Sequence, residues 1–219
     1  IIPAGTEERK VITITRDVVK LEDQLAKAYI IERKRDGKTE KLGVINLPGF
    51  YSKCTDHCRK LIERLKKEGV DGIVLDLRHN PGGLLDQAIK VCEKFLAKGE
   101  PIVTTEGRRE RENSEHKSSG RHARPDLPLV VLVNRFSASA SEIVAGCLKD
   151  NDRAKIVGEK TFGKGSVQTV QPAGRETFAK ITEQYYRLPS IGDQPGRMVH
   201  KKLNAKVWGV DPQVEVWLP

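Results

Sequence analysis

Residues 10–16, Lys-Val-Ile-Thr-Ile-Thr-Arg, alternate β-branched apolar and polar side chains, the pattern of a half-buried or edge strand. Strand-like runs follow at 28–33 and, after the turn signal Asp36-Gly37, at 41–47. The period then changes. Over 55–68 the apolar residues Cys58, Leu61, Ile62 and Leu65 recur at three- and four-residue spacing, which predicts an amphipathic helix stopped by Gly69. A short apolar strand at 72–77, a Gly/Pro turn at 78–83 and a helix over 84–98 ended by Gly99 read as the start of an α/β unit. Further strands are predicted at 101–105, 129–134, 155–158, 167–170, 177–186 and 214–218, with a helix over 140–149. The charge-rich stretch 106–126 predicts a solvated loop or a hairpin, and 189–196 a Gly/Pro-rich connection. Strands alternating with helices in this rhythm predict an α/β fold with an at least partly parallel sheet.

Composition narrows the classes. No run approaches the roughly 18 apolar residues of a membrane-spanning helix. The first residues lack a charged region followed by an apolar one, so the expectation is a cytosolic protein or a mature fragment. A length of 219 residues allows one large domain with a remnant, and with aromatics at 5% the core must be aliphatic. The net charge of +9 is compatible with nucleic acid or an anionic surface, but the basic residues are interleaved with acids, as in Arg108-Arg109-Glu110-Arg111-Glu112, and form no stripe. The cysteines, Cys54, Cys58, Cys92 and Cys147, form no Cys-x-x-Cys pair and have no zinc-ligand spacing, so free buried thiols and no metal are expected.

Candidate chemistry sits in three loops, each at the carboxyl end of a predicted strand. They are Arg78-His79-Asn80-Pro81-Gly82-Gly83, Phe136-Ser137-Ala138-Ser139-Ala140-Ser141-Glu142 and Thr161-Phe162-Gly163-Lys164-Gly165-Ser166. The run from Gly158 to Lys164 fits G-x-x-x-x-G-K, yet Gly165 stands where a phosphate-binding loop needs Ser or Thr, and a strand follows where it needs a helix. A lysine pressed into an apolar cleft is instead suited to general-base work, because burial disfavours its charged form. The second loop supplies serines. His57, His116 and His122 lie on predicted exposed surfaces and His79 has no motif of its own, so a Ser-Lys pair is simpler than a Ser-His-Asp triad. Ser139 begins a predicted helix, where free N–H groups can hold an oxyanion, and Gly82-Gly83 lets backbone approach a substrate carbonyl. Plain alternatives stand beside these: Ser139-x-x-Glu142 is also a helix capping box, and the glycine pair also a simple strand-to-helix turn.

Taken in order, these loops with Gly43-Val44-Ile45-Asn46-Leu47-Pro48-Gly49-Phe50-Tyr51 and Gly209-Val210-Asp211-Pro212 resemble the carboxyl-terminal processing, or tail-specific, serine proteases, most closely the bacterial periplasmic branch. The resemblance covers nearly the whole chain. It implies a crotonase-like or ClpP-like mixed α/β sheet with flanking helices and a serine endopeptidase that cleaves proteins near or from their C-termini through an acyl-enzyme. Position by position, it makes Ser139 the nucleophile, Lys164 the general base, Gln168 a residue orienting the lysine, Asp150 an acidic position important in some members, and the backbone N–H groups of Gly83 and Ala140 the oxyanion hole. Ser137 and Ser141 fall on flanking structural serines. No cofactor and no nucleic acid are implied. Expected partners are unstructured protein C-termini as substrates and an adaptor lipoprotein or a second copy of the chain; the implied location is the periplasm or cell envelope, with membrane anchoring only through segments outside this sequence. Residues 1–23 resemble the last strand of a PDZ domain and its linker, and 24–219 the catalytic domain, so a fragment cut within or just after the PDZ domain is expected. The alternative is a non-proteolytic crotonase-like relative that binds peptides or acyl substrates.

Overall fold

The computed structural model describes residues 7, 9, 11–13, 25–121, 123, 126–189 and 196–217. Of the strand expected over 10–16, only 11–13 are described, and these have no regular structure; the remainder of that PDZ-like segment lies outside the described residues. The first element is a hairpin of β1 (Lys27–Arg35) and β2 (Lys38–Asn46), turned by Asp36 and Gly37, both at positive φ (49° and 76°), the twist a two-residue hairpin loop requires. There follow α1 (Cys54–Lys67), β3 (Gly72–Asp76), α2 (Leu85–Cys92), β4 (Pro101–Gly107), β5 (Ser114–Lys117), β6 (Leu129–Val133), α3 (Ala140–Asp150), β7 (Lys155–Gly158), β8 (Ser166–Pro172), β9 (Phe178–Arg187) and β10 (Val214–Glu215).

The strands form two sheets. One runs β1-β2-β3-β6-β7-β10, parallel throughout except for antiparallel β1; the other is an antiparallel sheet ordered β5-β4-β9-β8. Strands β3 and β6 read as nearly continuous apolar runs because they lie in the middle of a parallel sheet with both faces covered. Because β2, β3, β6 and β7 run the same way, the loops that follow them emerge along one edge. Helix α1 buries Cys54, Cys58, Ile62 and Leu65 along one stripe, as the spacing predicts. Helix α3 is buried on every side from Ala140 to Leu148, packed against α2, β4 and β7, so its N-terminus is held from all directions.

Two expectations are adjusted, and of the two forms expected for 106–126 one is found. The helix expected over 84–98 ends at Cys92; Lys94 and Phe95 then bond back to Val91 and Cys92 in tighter turns that still bury Phe95 and Leu96. The apolar spacing fits either form. Charge-rich 106–126 is in part a hairpin, β4 extending to Gly107 and returning as β5. Of the strand expected over 214–218, Val214 and Glu215 are strand, Val216 and Trp217 are not, and Leu218 lies outside the described residues. No helix among the described residues is long and apolar enough to cross a membrane.

Candidate active site

The loop after β3 is built around Asn80, which is fully buried. Its side chain donates to the Leu47 carbonyl (2.7 Å) and accepts from the Gly82 N–H (2.9 Å), while its own carbonyl accepts from the Ala138 N–H (3.0 Å) and the Ser141 hydroxyl (2.9 Å). Ser137 accepts from the Asn134 N–H and donates to the Leu77 carbonyl. Both flanking serines are therefore buried structural hydrogen-bonders. His79 bonds to Asn134 and stacks on Phe136, which accounts for it without chemistry.

Ser139 caps α3 at φ 56° and ψ −115°, a conformation that costs a non-glycine residue energy and persists only where neighbours enforce it. Two neighbours do. Its N–H donates to the Glu142 carboxylate (2.8 Å), and its carbonyl accepts from the Tyr186 hydroxyl (3.0 Å). The same two side chains grip Lys164, whose N–H donates to Glu142 (2.7 Å) and whose carbonyl accepts from Tyr186. Glu142, fully buried, receives four donors in all, the others being the Thr161 hydroxyl (2.6 Å) and the Gly163 N–H (2.7 Å). Burial pushes its carboxyl above the ordinary range, and the bonds from Thr161, Lys164, Gly163 and Ser139 pull the other way. The Tyr186 phenol is pushed well up by burial and by the charge of Glu142, so it stays a donor.

Ser139 and Lys164 line one cavity of about 270 Å3. Leu84, Leu85, Ile143 and Val167 give it apolar walls, and Gly83 and Ala140 border it beside the serine. Neither the Gly83 nor the Ala140 N–H has an acceptor among the described residues. Two unspent backbone donors beside a strained serine are what an oxyanion hole needs. Gly83 sits at φ 144°, and a Cβ there would lie 2.2 Å from the Phe50 carbonyl oxygen; a Cβ on Gly82 would lie 2.7 Å from the Ser139 Cβ. Both positions thus demand glycine. Lys164 has no ion pair among the described residues.

Gln168 borders the same cavity, but its amide donates to Thr182 (3.2 Å) rather than to Lys164. Four residues apart, Gln168 and Lys164 would share one face of a regular strand, but a β-bulge lies between Val167 and Gln168 and the lysine stands two residues ahead of β8. Asp150 ends α3, away from the cavity, buried at 3.5 Å from Arg197. Asp150 Oδ2 and Arg197 Nη2 lack hydrogen-bond partners, and burial raises the Asp150 carboxyl while Arg197 lowers it. Arg197 also donates to the Gly209 carbonyl (2.7 Å), steadying the segment whose Val210 N–H bonds to Thr161 Oγ1 (2.7 Å). Sequence inspection missed Tyr186, Thr161 and Lys180, a second lysine bordering the cavity, and saw Glu142 only as a cap. No group of three His, Cys, Asp or Glu among the described residues could hold a metal ion.

The model of peptidase family S41 matches residues 41–216. A carboxy-terminal-processing protease of Bartonella bacilliformis is 38% identical over 217 residues, covering 94% of this chain and 48% of that protein. A probable CtpA-like serine protease of Staphylococcus epidermidis is 34% identical, covering the whole of this chain and 40% of its own. Among solved structures, a photosystem II D1 C-terminal processing protease superposes with a TM-score of 0.73 at 31% identity, covering 87% of this chain and 48% of that one. The chain thus spans about half the length, or less, of the relatives it matches. With its five motifs in order and this match over most of its length, the chain belongs to peptidase family S41.

Proposed function

We propose that this chain is the catalytic portion of a serine endopeptidase that works through a Ser139–Lys164 dyad. One observation carries this: Gly83 and Ala140, whose N–H groups have no acceptor among the described residues, line the cavity that Ser139 and Lys164 share. The Ser139 oxygen attacks a substrate carbonyl as the Lys164 amine takes its proton, and the two N–H groups hold the oxyanion. The C–N bond then breaks, Lys164 returns the proton to the leaving amine, and water resolves the acyl-enzyme by the same route. The apolar walls favour an apolar side chain on the acyl side of the scissile bond.

Gln168 would serve by leaving Thr182 for Lys164 once substrate is bound, and Asp150 by positioning the lysine loop through Arg197. The names of the relatives support protein C-termini as substrates. A PDZ domain preceding this chain, an adaptor lipoprotein or second copy as partner, and a periplasmic or envelope location belong to the same proposal and rest on family resemblance. The test uses full-length protein and an unfolded substrate: Ser139→Ala and Lys164→Ala should each lower turnover by about 10³-fold or more. A wild-type rate in either variant would remove the dyad.

A further inference from the structure

A second opening lies on the other side of the lysine loop. This groove, of about 610 Å3, has aromatic walls from Phe136, Phe162 and Trp208, and Lys164 borders both it and the catalytic cavity. Its rim is cationic. Lys160 and Lys201 place their amines 4.0 and 4.4 Å from the centre of the Trp208 ring, and Arg135 stands 5.1 Å from that of Phe136. Asp211 pairs with Lys160 at 3.1 Å and the Glu159 carboxylate accepts from the Arg135 main-chain N–H (3.3 Å), whereas the Lys201 amine and the Arg135 guanidinium have no ion pair among the described residues. Phe136 and Phe162 are about half exposed, at 49% and 57%.

The groove is built into the lysine loop. The Lys201 N–H donates to the Gly163 carbonyl (2.8 Å), and a Cβ on Gly163 would meet Trp208 at 2.6 Å and Lys201 at 2.9 Å. Trp208 and Lys201 are therefore packed directly on the residue before Lys164.

We propose that this groove binds the terminal carboxylate and last apolar side chains of the peptide that leaves. The inference rests on the dyad described above and adds a direction to it. A base that protonates the leaving amine must sit on the leaving-group side, so substrate residues beyond the scissile bond run past Lys164, and the groove is what they meet next. An occupant matched to it carries one negative charge and apolar or aromatic bulk, which a peptide with an apolar C-terminal residue supplies. Lys201 gives the carboxylate a charge-assisted hydrogen bond, Lys160 and Arg135 add field, and Trp208 and Phe162 receive the side chain. The catalytic unit then reads chain ends by itself, whatever other domain also reads them.

The experiment compares two peptides of identical sequence, one ending in a free carboxylate and the other in a carboxamide, cleaved by the full-length protein and by its Lys201→Gln and Lys160→Gln variants. The acid should be preferred roughly ten- to a hundredfold in kcat/KM, mainly through KM, the range of charge-assisted bonds, and Lys201→Gln should bring the ratio toward one. Binding is followed separately by tryptophan emission in a Ser139→Ala variant, where the acid should quench at lower concentration than the amide and the quench should vanish when Trp208→Phe is added. Equal cleavage of acid and amide, a preference unchanged in both lysine variants, or quenching by inorganic phosphate at the same concentration as the acid would overturn the carboxylate site. Cleavage that survives Ser139→Ala would instead overturn the Ser139–Lys164 dyad, so the two failures are distinguishable.

Discussion

The amide N–H groups of Ser139 and Lys164 donate to the same oxygen, Oε2 of Glu142, at 2.8 and 2.7 Å. Their carbonyls share the hydroxyl of Tyr186. Two loops separated by a helix and a strand are thus locked to each other through four main-chain groups, leaving both side chains free for chemistry. A fully satisfied buried carboxylate is well suited to this, since each lost bond would leave a donor unpaired at a cost of about 1–3 kcal/mol.

Glu142→Gln turns two acceptor positions into donors facing N–H groups. Turnover should fall roughly 10²-fold with KM little changed, because a small displacement of reacting groups acts on the chemical step. Tyr186→Phe keeps the ring volume and should give a smaller loss of the same kind. Steady-state kinetics on both variants, with circular dichroism to show folding, decide this; an unchanged kcat in Glu142→Gln would mean the loops are held elsewhere.

Asp150→Asn removes one member of a buried pair and leaves Arg197 charged. Stability should drop by roughly 3 kcal/mol, near the low end for broken buried pairs because Arg197 is 29% exposed on its side chain. That corresponds to a Tm lower by about 6–12 °C. Activity at low temperature should suffer far less than in Ser139→Ala. A variant with wild-type Tm and no activity would give Asp150 a direct chemical role.

Gly83→Ala drives a methyl group against the Phe50 carbonyl and should displace the N–H proposed above as an oxyanion donor. Loss of such a donor is worth about 10²- to 10³-fold in kcat. Acylation and deacylation rates, separated by single-turnover measurements, should both fall, since each step passes through an oxyanion.

All four cysteines are free and buried. Burial pushes the Cys54 thiol up to about 11 and raises Cys58 and Cys147 as well. At pH 8 the folded protein should leave its thiols unreacted with an aromatic disulfide reagent, and all four should react in denaturant. For Cys54 the folded value lies above the unfolded 9.0, so its contribution to stability is intact below about pH 9 and is lost as pH rises toward 11. Cys54→Ala should flatten this alkaline limb of the unfolding curve.

The alternation of apolar strands and amphipathic helices was enough to read the parallel sheet and the three loops at its edge, because glycine and proline punctuate them. Ser139 and Lys164 were legible as types of residue in loops that the fold brings to one cavity. What joins them was not. Glu142 looks from sequence like an ordinary cap, since only one of its four donors, the Ser139 N–H, is near it in the chain, and folding alone brings Thr161, Gly163 and Lys164 to it. Tyr186 is one aromatic in a strand on the second sheet with no local mark of its hydroxyl's partners. The bulge before Gln168 defeats strict two-residue alternation, and Arg197 beside Asp150 is a contact between distant parts of the chain.

The bond from the Val210 N–H to Thr161, and from Thr161 to Glu142, has a consequence for biosynthesis. Translation delivers the serine and the lysine well before Val210, so a nascent chain already contains both reactive groups while the strut that squares them is still inside the ribosome. Long-range closure of this kind is the slow part of folding. The proposed dyad is therefore squared only once Val210 has also left the ribosome, later than the segment that carries its two side chains.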